Sequence, residues 1–122
     1  MSVIEALDWL KDVSDVRGPH SVLTEYADAI TTRTGGRLIG RVESLPIMSS
    51  ESPSLAADKI IYRIDVEVPG LRGYRTTLFE TDGSLDSEWT PYELEVLSAE
   101  LDAALNSDEV KETVRGLLSA SS

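Results

Sequence analysis

The ten residues from Lys59 to Val68 alternate between apolar and mostly charged side chains, and this pattern constrains the fold more than any other. Every second residue from Ile60 onward is apolar. Because successive side chains of a strand point to opposite faces, the pattern predicts an antiparallel strand with one buried face. A second β-rich run, 74–81, follows a proline-glycine break and is expected to pair with it. Such a sheet needs helices as cover, so the sequence predicts an α+β fold.

Helical patterns precede these strands. Residues 3–13 carry apolar side chains on one helical face and acidic side chains on another, which predicts an amphipathic helix. Gly18-Pro19 interrupts the pattern, and a proline at a first helical position suits a second helix over residues 20–34. The sequence thus predicts two N-terminal helices.

The remaining strands are less sharply marked. Residues 37–48 alternate in a β-like way but contain Gly40, which weakens a strand because glycine has no side chain to pack. Residues 49–57 are polar and rich in serine, which predicts a mobile loop. An Asp-Gly pair at positions 82–83 is typical of a tight hairpin turn, so residues 85–88 are expected to return as a short fourth strand.

A helix start is clearly marked near residue 90. Thr90 is a capping residue, Pro91 suits the first helical position, and Glu93 completes a capping box. The helix that follows has two apolar stripes and therefore two surfaces to bury. The first stripe is Leu94, Leu97, Leu101 and Leu105, and the second is Tyr92, Val96, Ala99 and Ala103. A last amphipathic helix is predicted over residues 109–118.

The expected architecture is a single α+β domain over residues 1–122. It comprises two N-terminal helices, an antiparallel sheet of three or four strands, and two C-terminal helices packed on the sheet. The stripe from Tyr92 to Ala103 needs a cover of its own. We weigh two covers equally, the first helix of the same chain and the same helix of a second copy, so the chain is a candidate homodimer.

The charge of the chain is strongly negative and unevenly spread. The net charge is −11, with −3 in residues 1–16, +1 in residues 17–79 and −9 in residues 80–122. An acidic field disfavours nucleic acid and anionic membranes and favours a partner protein with a basic surface. The sequence has no apolar stretch of membrane-spanning length, and an acid stands where a signal peptide needs basic residues, so we expect a cytoplasmic protein.

The sequence contains few residues that could catalyse a reaction or bind a metal ion. It has no cysteine and a single histidine, His20, so we expect no cofactor, no transition-metal site and no catalytic residues. Pairs of acidic residues on a helix can bind divalent ions or act as a general acid and base. The same pairs also occur on helix faces that are simply exposed to solvent. We therefore interpret the chain as a binding protein rather than an enzyme.

Three groups of residues are candidate binding surfaces. The acidic helices supply the preferred partner-binding face, which consists of Glu5, Asp8, Asp12, Asp15, Glu95 and Asp102. The second stripe of the C-terminal helix is a possible helix interface. Arg41, Arg63 and Arg75 could form a cationic strip on the open side of the sheet. We favour the alternative that Glu43, Asp65 and Glu67 pair with these arginines across the strands.

The order of helix, three strands and helix resembles the double-stranded RNA-binding domain. In that family the C-terminal helix is basic where it meets phosphates, whereas here it is acidic, which removes the reason to propose RNA. A small acidic chain with an amphipathic C-terminal helix also resembles the dimeric chaperones of bacterial secretion systems. It is equally similar to acidic inhibitors, immunity proteins and DNA mimics of bacteria and phages.

These features favour a non-catalytic, acidic protein-binding module. Its expected role is that of an inhibitor or adaptor, of the immunity-protein, anti-defence or DNA-mimic type, acting on a basic site of a partner protein. The alternative is a small acidic homodimeric chaperone of the secretion-system type, and the third candidate is an enzyme of unknown class. No motif in the sequence decides among them.

Overall fold

The computed structural model of the protein describes residues 17–47, 58–85 and 88–122. These residues form three α-helices and one antiparallel sheet with the strand order β1-β2-β3, so the predicted α+β class is confirmed. The helices are α1 (Pro19–Arg33), α2 (Pro91–Leu105) and α3 (Asp108–Ala120), and the strands are β1 (Ile39–Ile47), β2 (Lys59–Val68) and β3 (Tyr74–Ser84). No helix in these ranges is long and apolar enough to cross a membrane.

The placement of the helices differs from the prediction. Within the described residues one helix, rather than two, precedes the sheet, and two follow it. The first predicted helix, 3–13, lies outside the described residues, as does the loop 49–57. The second predicted helix is α1, which ends before Gly35 and Gly36; both have positive φ angles that glycine adopts readily.

The prediction of a hairpin turn at positions 82–83 is wrong. β3 continues through these residues, with Asp82 opposite Ile61 and Gly83 opposite Ile60. Ladder pairing with β2 outweighs the local turn preference because β2 supplies a partner for every residue from Phe79 to Ser84. Leu85 and Glu88 are outside any strand, and residues 86–87 lie outside the described ranges, so the described chain has no fourth strand.

The core lies between the sheet and the helices α1 and α2. All five alternate apolar residues of β2 are buried on one face, as the sequence predicts: Ile60, Tyr62, Ile64, Val66 and Val68. Val22, Leu23 and Ala27 of α1, together with Leu97 and Leu101 of α2, pack over Ile60, Tyr62 and Ile64 in one cluster. Full burial of such a side chain contributes about 1.5–3 kcal/mol, so this cluster is a major source of stability.

The two C-terminal helices begin at side-chain caps. Thr90 Oγ1 accepts a hydrogen bond from Glu93 N, and Glu93 Oε1 accepts one from Thr90 N, both at 3.1 Å. This confirms the predicted capping box of α2. At α3, Ser107 Oγ accepts from Val110 N at 3.3 Å. The far end of α3 contacts the segment that precedes β1, where Arg37 Nη2 donates to the carbonyl of Leu118 at 2.6 Å.

Gly40 lets the backbone of α1 lie directly against β1. A Cβ atom at Gly40 would lie 2.3 Å from the carbonyl oxygen of Ala27, so no larger residue fits without moving the helix. The Gly40 N–H donates to Thr31 Oγ1 at 2.8 Å, which ties the same helix to the edge of the strand. The residue that weakened the strand prediction is therefore the one that the packing of α1 requires.

We predict that Gly40→Ala destabilises the protein by about 1–3 kcal/mol, because the added methyl group must push α1 off the sheet. The matched control is Gly116→Ala in α3, where an added Cβ has no neighbour within 4 Å. That change should stabilise the protein by about 0.5–1 kcal/mol through helix propensity alone. Urea unfolding measures both, and equal stability of the two variants would contradict the close approach at Gly40.

Candidate functional site

Trp89 lies between two grooves on either side of the N-terminal half of α2. The groove between α1 and α2 has a volume of about 520 Å³, and the groove between α2 and β3 has a volume of about 280 Å³. Trp89 lines both of them. We refer to the residues that line the two grooves as the Trp89 surface.

Close packing on the sheet holds the indole of Trp89 in place. Its ring meets that of Tyr62 edge-on, with ring centroids 6.2 Å apart and ring planes at 89°. A Cβ atom at Gly83 would lie 2.8 Å from Trp89 Cζ2, so glycine allows the indole to approach β3 closely. Trp89 also directly precedes Thr90, whose capping box fixes where the chain enters α2. The indole is therefore a rigid wall between the two grooves.

The α2–β3 groove combines exposed apolar side chains with an acidic rim. Tyr92 is 73% exposed and Val96 is 39% exposed, while Leu97 beneath them is only 2% exposed. The acidic residues that line the groove are Asp82, Glu93 and Glu100. No basic side chain lines it. This groove thus combines apolar contact area with an acidic rim.

The α1–α2 groove also combines apolar and acidic side chains, but it includes one basic residue. Its apolar lining consists of Val22, Trp89, Pro91 and Leu94, and Arg17 is its one basic residue. Its acidic residues are Glu25, Glu88 and Glu95. The two grooves together are lined by six carboxylates and one arginine, a formal charge of −5. Such a concentration of one sign of charge attracts cationic partners.

The structure describes two of the six residues predicted as the acidic partner-binding face. Glu95 lines the α1–α2 groove. Asp102, two turns further along α2, accepts a 2.8 Å hydrogen bond from the Tyr26 hydroxyl and so ties α2 to α1. Burial, and then this hydrogen bond to Asp102, raise the pKa of Tyr26. The other four predicted acids, Glu5, Asp8, Asp12 and Asp15, lie outside the described residues.

The second apolar stripe of α2 is exposed to solvent along its whole length in the described part of the molecule. Its members are Tyr92, Val96, Ala99 and Ala103. The first stripe faces the core instead, where Leu97 and Leu101 are buried. The Trp89 surface contains the large residues Tyr92 and Val96 of the exposed stripe, whereas the small Ala99 and Ala103 lie beyond the grooves.

The predicted cationic strip lies on the open face of the sheet, and its arginines are paired with acids. Arg41 Nε lies 2.6 Å from Glu67, while Arg63 and Arg75 both bind Glu43, at 2.6 and 3.0 Å. These contacts confirm the cross-strand pairing that we favoured for Glu43 and Glu67. The hydrogen bond from Arg63 is the main reason that the pKa of Glu43 lies below its ordinary value.

Asp65, the third acid expected to pair with an arginine, uses a different partner. It is 6% exposed, and its Oδ1 accepts a 2.7 Å hydrogen bond from Thr77 on β3. Buried carboxylates need such partners because an unpaired charge is costly away from water. The open face is thus a network of paired charges, and the strip is not a free cationic surface.

Sequence reasoning missed most of the acids that line the grooves. Glu25, Glu88 and Asp82 come from three separate segments of the chain, and only the packing of α1 and β3 against α2 brings them to Trp89. Glu93 and Glu100 could have been predicted as groove residues from the sequence, since their spacing of seven residues places them on the same side of one helix as Val96. The described residues contain no group of three or more His, Cys, Asp or Glu that could hold a metal ion.

Comparisons with protein-family models, curated proteins and solved structures found no match to this chain.

We predict that Tyr92→Ala changes the free energy of unfolding by no more than about 0.5 kcal/mol, because Tyr92 is exposed and contributes little to the core. Leu97→Ala, five residues further along the same helix, should cost about 2–5 kcal/mol because Leu97 is buried in the core cluster. Urea unfolding compares the two variants. A loss at Tyr92 as large as that at Leu97 would show that Tyr92 belongs to the core and is not available to a partner.

Proposed function

We propose that this protein is a non-catalytic binding module that uses the Trp89 surface against a basic site of a partner protein. Its role is that of an inhibitor or adaptor, of the immunity-protein, anti-defence or DNA-mimic type. The observation that carries the proposal is the α2–β3 groove, where exposed Tyr92 and Val96 lie among three acids with no basic residue.

The residue types of this groove suit a protein interface. Tyrosine is enriched among the residues that dominate binding energy, because it buries a large, stiff side chain that also carries a hydroxyl group. Surrounding carboxylates add complementarity to a basic partner and accelerate its approach. Tyr92 would supply contact area, while Asp82 and Glu100 would select the charge of the partner.

The alternative is a homodimeric chaperone in which the α2 stripes of two copies pack together. The small residues Ala99 and Ala103 favour it, because they let two helices approach closely. Charge opposes it, since α2 contains four acids and no basic residue, and a two-fold contact would bring the like charges of both copies together. Light scattering discriminates the two, with the mass of one 13.3 kDa chain for the binding module and twice that mass for the chaperone.

The proposal predicts that reversing the charge of the α2–β3 groove abolishes capture of the partner. The variant is Asp82→Lys with Glu100→Lys; Glu93 is left intact because its side chain caps α2. The control is Asp28→Lys with Glu112→Lys, which changes the net charge equally at exposed positions outside both grooves. Each immobilised protein is used for pull-down from the native host, and captured proteins are quantified by mass spectrometry.

The wild type and the control should capture the same protein at about 0.1 M salt, where exposed charges act over about 10 Å. The association rate of that protein should fall roughly tenfold or more as salt rises, since the attraction is electrostatic. The groove variant should lose capture while its melting temperature stays that of the control. Capture that is the same in all three proteins would contradict the proposal.

A further inference from the structure

The α1–α2 groove already has a guanidinium group beside its carboxylates. Arg17 lines the groove, and its Nη2 donates a hydrogen bond to Glu25 Oε1 at 3.1 Å. The side chains of Arg17 and Glu25 are 59% and 68% exposed, so the pair is open to water. Exposed ion pairs of this kind contribute little to stability and are easily replaced. The groove thus contains a weakly held cation of the protein itself.

We propose that the α1–α2 groove is a binding site for an arginine side chain of the partner, which displaces Arg17. The inference rests on the proposed function, because it takes the partner to be basic. It adds the chemical group that is recognised, the groove that receives it and the residue that occupies the groove in the free protein.

The groove has the two parts that recognition of an arginine side chain requires. Pro91 and Leu94 offer apolar surface to the methylene stem, and the indole of Trp89 is the type of ring that attracts cations most strongly. Carboxylates accept the planar guanidinium through paired hydrogen bonds, which an ammonium group cannot reproduce. This combination of residues favours arginine over lysine.

The groove also has more carboxylates than Arg17 can satisfy. Glu25 accepts the hydrogen bond from Arg17, whereas Glu88 and Glu95 have no hydrogen-bond or ion-pair partner within the described part of the chain. Two acids beside an apolar wall therefore remain for an incoming cation. Arg17 competes for Glu25 but leaves the rest of the groove available.

The test measures binding of a fluorescein-labelled tetra-arginine amide to the full chain by fluorescence anisotropy at low salt. Arg17→Ala should tighten binding about two- to fivefold more than the control variant does, because it removes the side chain that competes with the peptide for Glu25. The control is Arg115→Ala in α3, which removes the same charge at an exposed position outside the groove. Glu95→Gln should weaken binding several-fold more than Glu112→Gln, which neutralises an exposed acid of α3. A tetra-lysine amide should bind more weakly than the arginine peptide.

The proposal is overturned if Arg17→Ala behaves as Arg115→Ala does and Glu95→Gln behaves as Glu112→Gln does. Equal binding of the lysine and arginine peptides would overturn the assignment to a guanidinium group. All four substitutions are at exposed positions, so folding is checked simply by thermal melting. Failure here leaves the proposed function intact as long as partner capture still depends on Asp82 and Glu100 in the other groove.

Discussion

Burial of one face of β2 is the constraint on which the rest of the structure depends. β2 is the central strand, and Ile64, Val66 and Val68 on its buried face have no exposure to solvent. Hydrogen bonding to β1 and β3 satisfies the backbone of the strand but does not cover this face. α1 and α2 cover Ile60, Tyr62 and Ile64, and Gly40 lets α1 approach the sheet to within backbone contact distance. Just before the start of α2, Trp89 packs against Tyr62 and Gly83 of the sheet.

The same constraint produces the candidate site. α2 has apolar residues on two sides, but the sheet can bury only one of them, which is the side of Leu97 and Leu101. The other side therefore points outward, with Tyr92 and Val96 exposed beside the groove to β3. Acids from β3 and α2 surround this exposed side. On the opposite face of the sheet Arg41, Arg63 and Arg75 are paired with Glu43 and Glu67 instead. The Trp89 surface, by contrast, is strongly one-signed.

The features that local patterns determine were predictable from the sequence, and those that depend on packing were not. The alternation of apolar and polar residues predicted β2, and the Thr90 capping box predicted the start of α2. Both signals could be read from the sequence because they depend only on residues that are close together in the chain. The glycines at 40 and 83 were misjudged, since their role is to make room for Ala27 and Trp89, which are distant in sequence. For the same reason Glu95 could be chosen as a binding residue from helical spacing, whereas Glu25 and Glu88, which line the same groove, could not.

Side-chain footprinting with hydroxyl radicals tests the central claim, that the partner binds the Trp89 surface, most directly. Tyr92 and Tyr74 are the same residue type, both are exposed, and they lie at different places on the molecule, on α2 and at the start of β3. The chain is oxidised alone and in complex with its captured partner, and mass spectrometry gives the rate at each tyrosine. We expect the partner to protect Tyr92 while Tyr74 reacts at its free rate. Protection of Tyr74 with no change at Tyr92 would contradict the account.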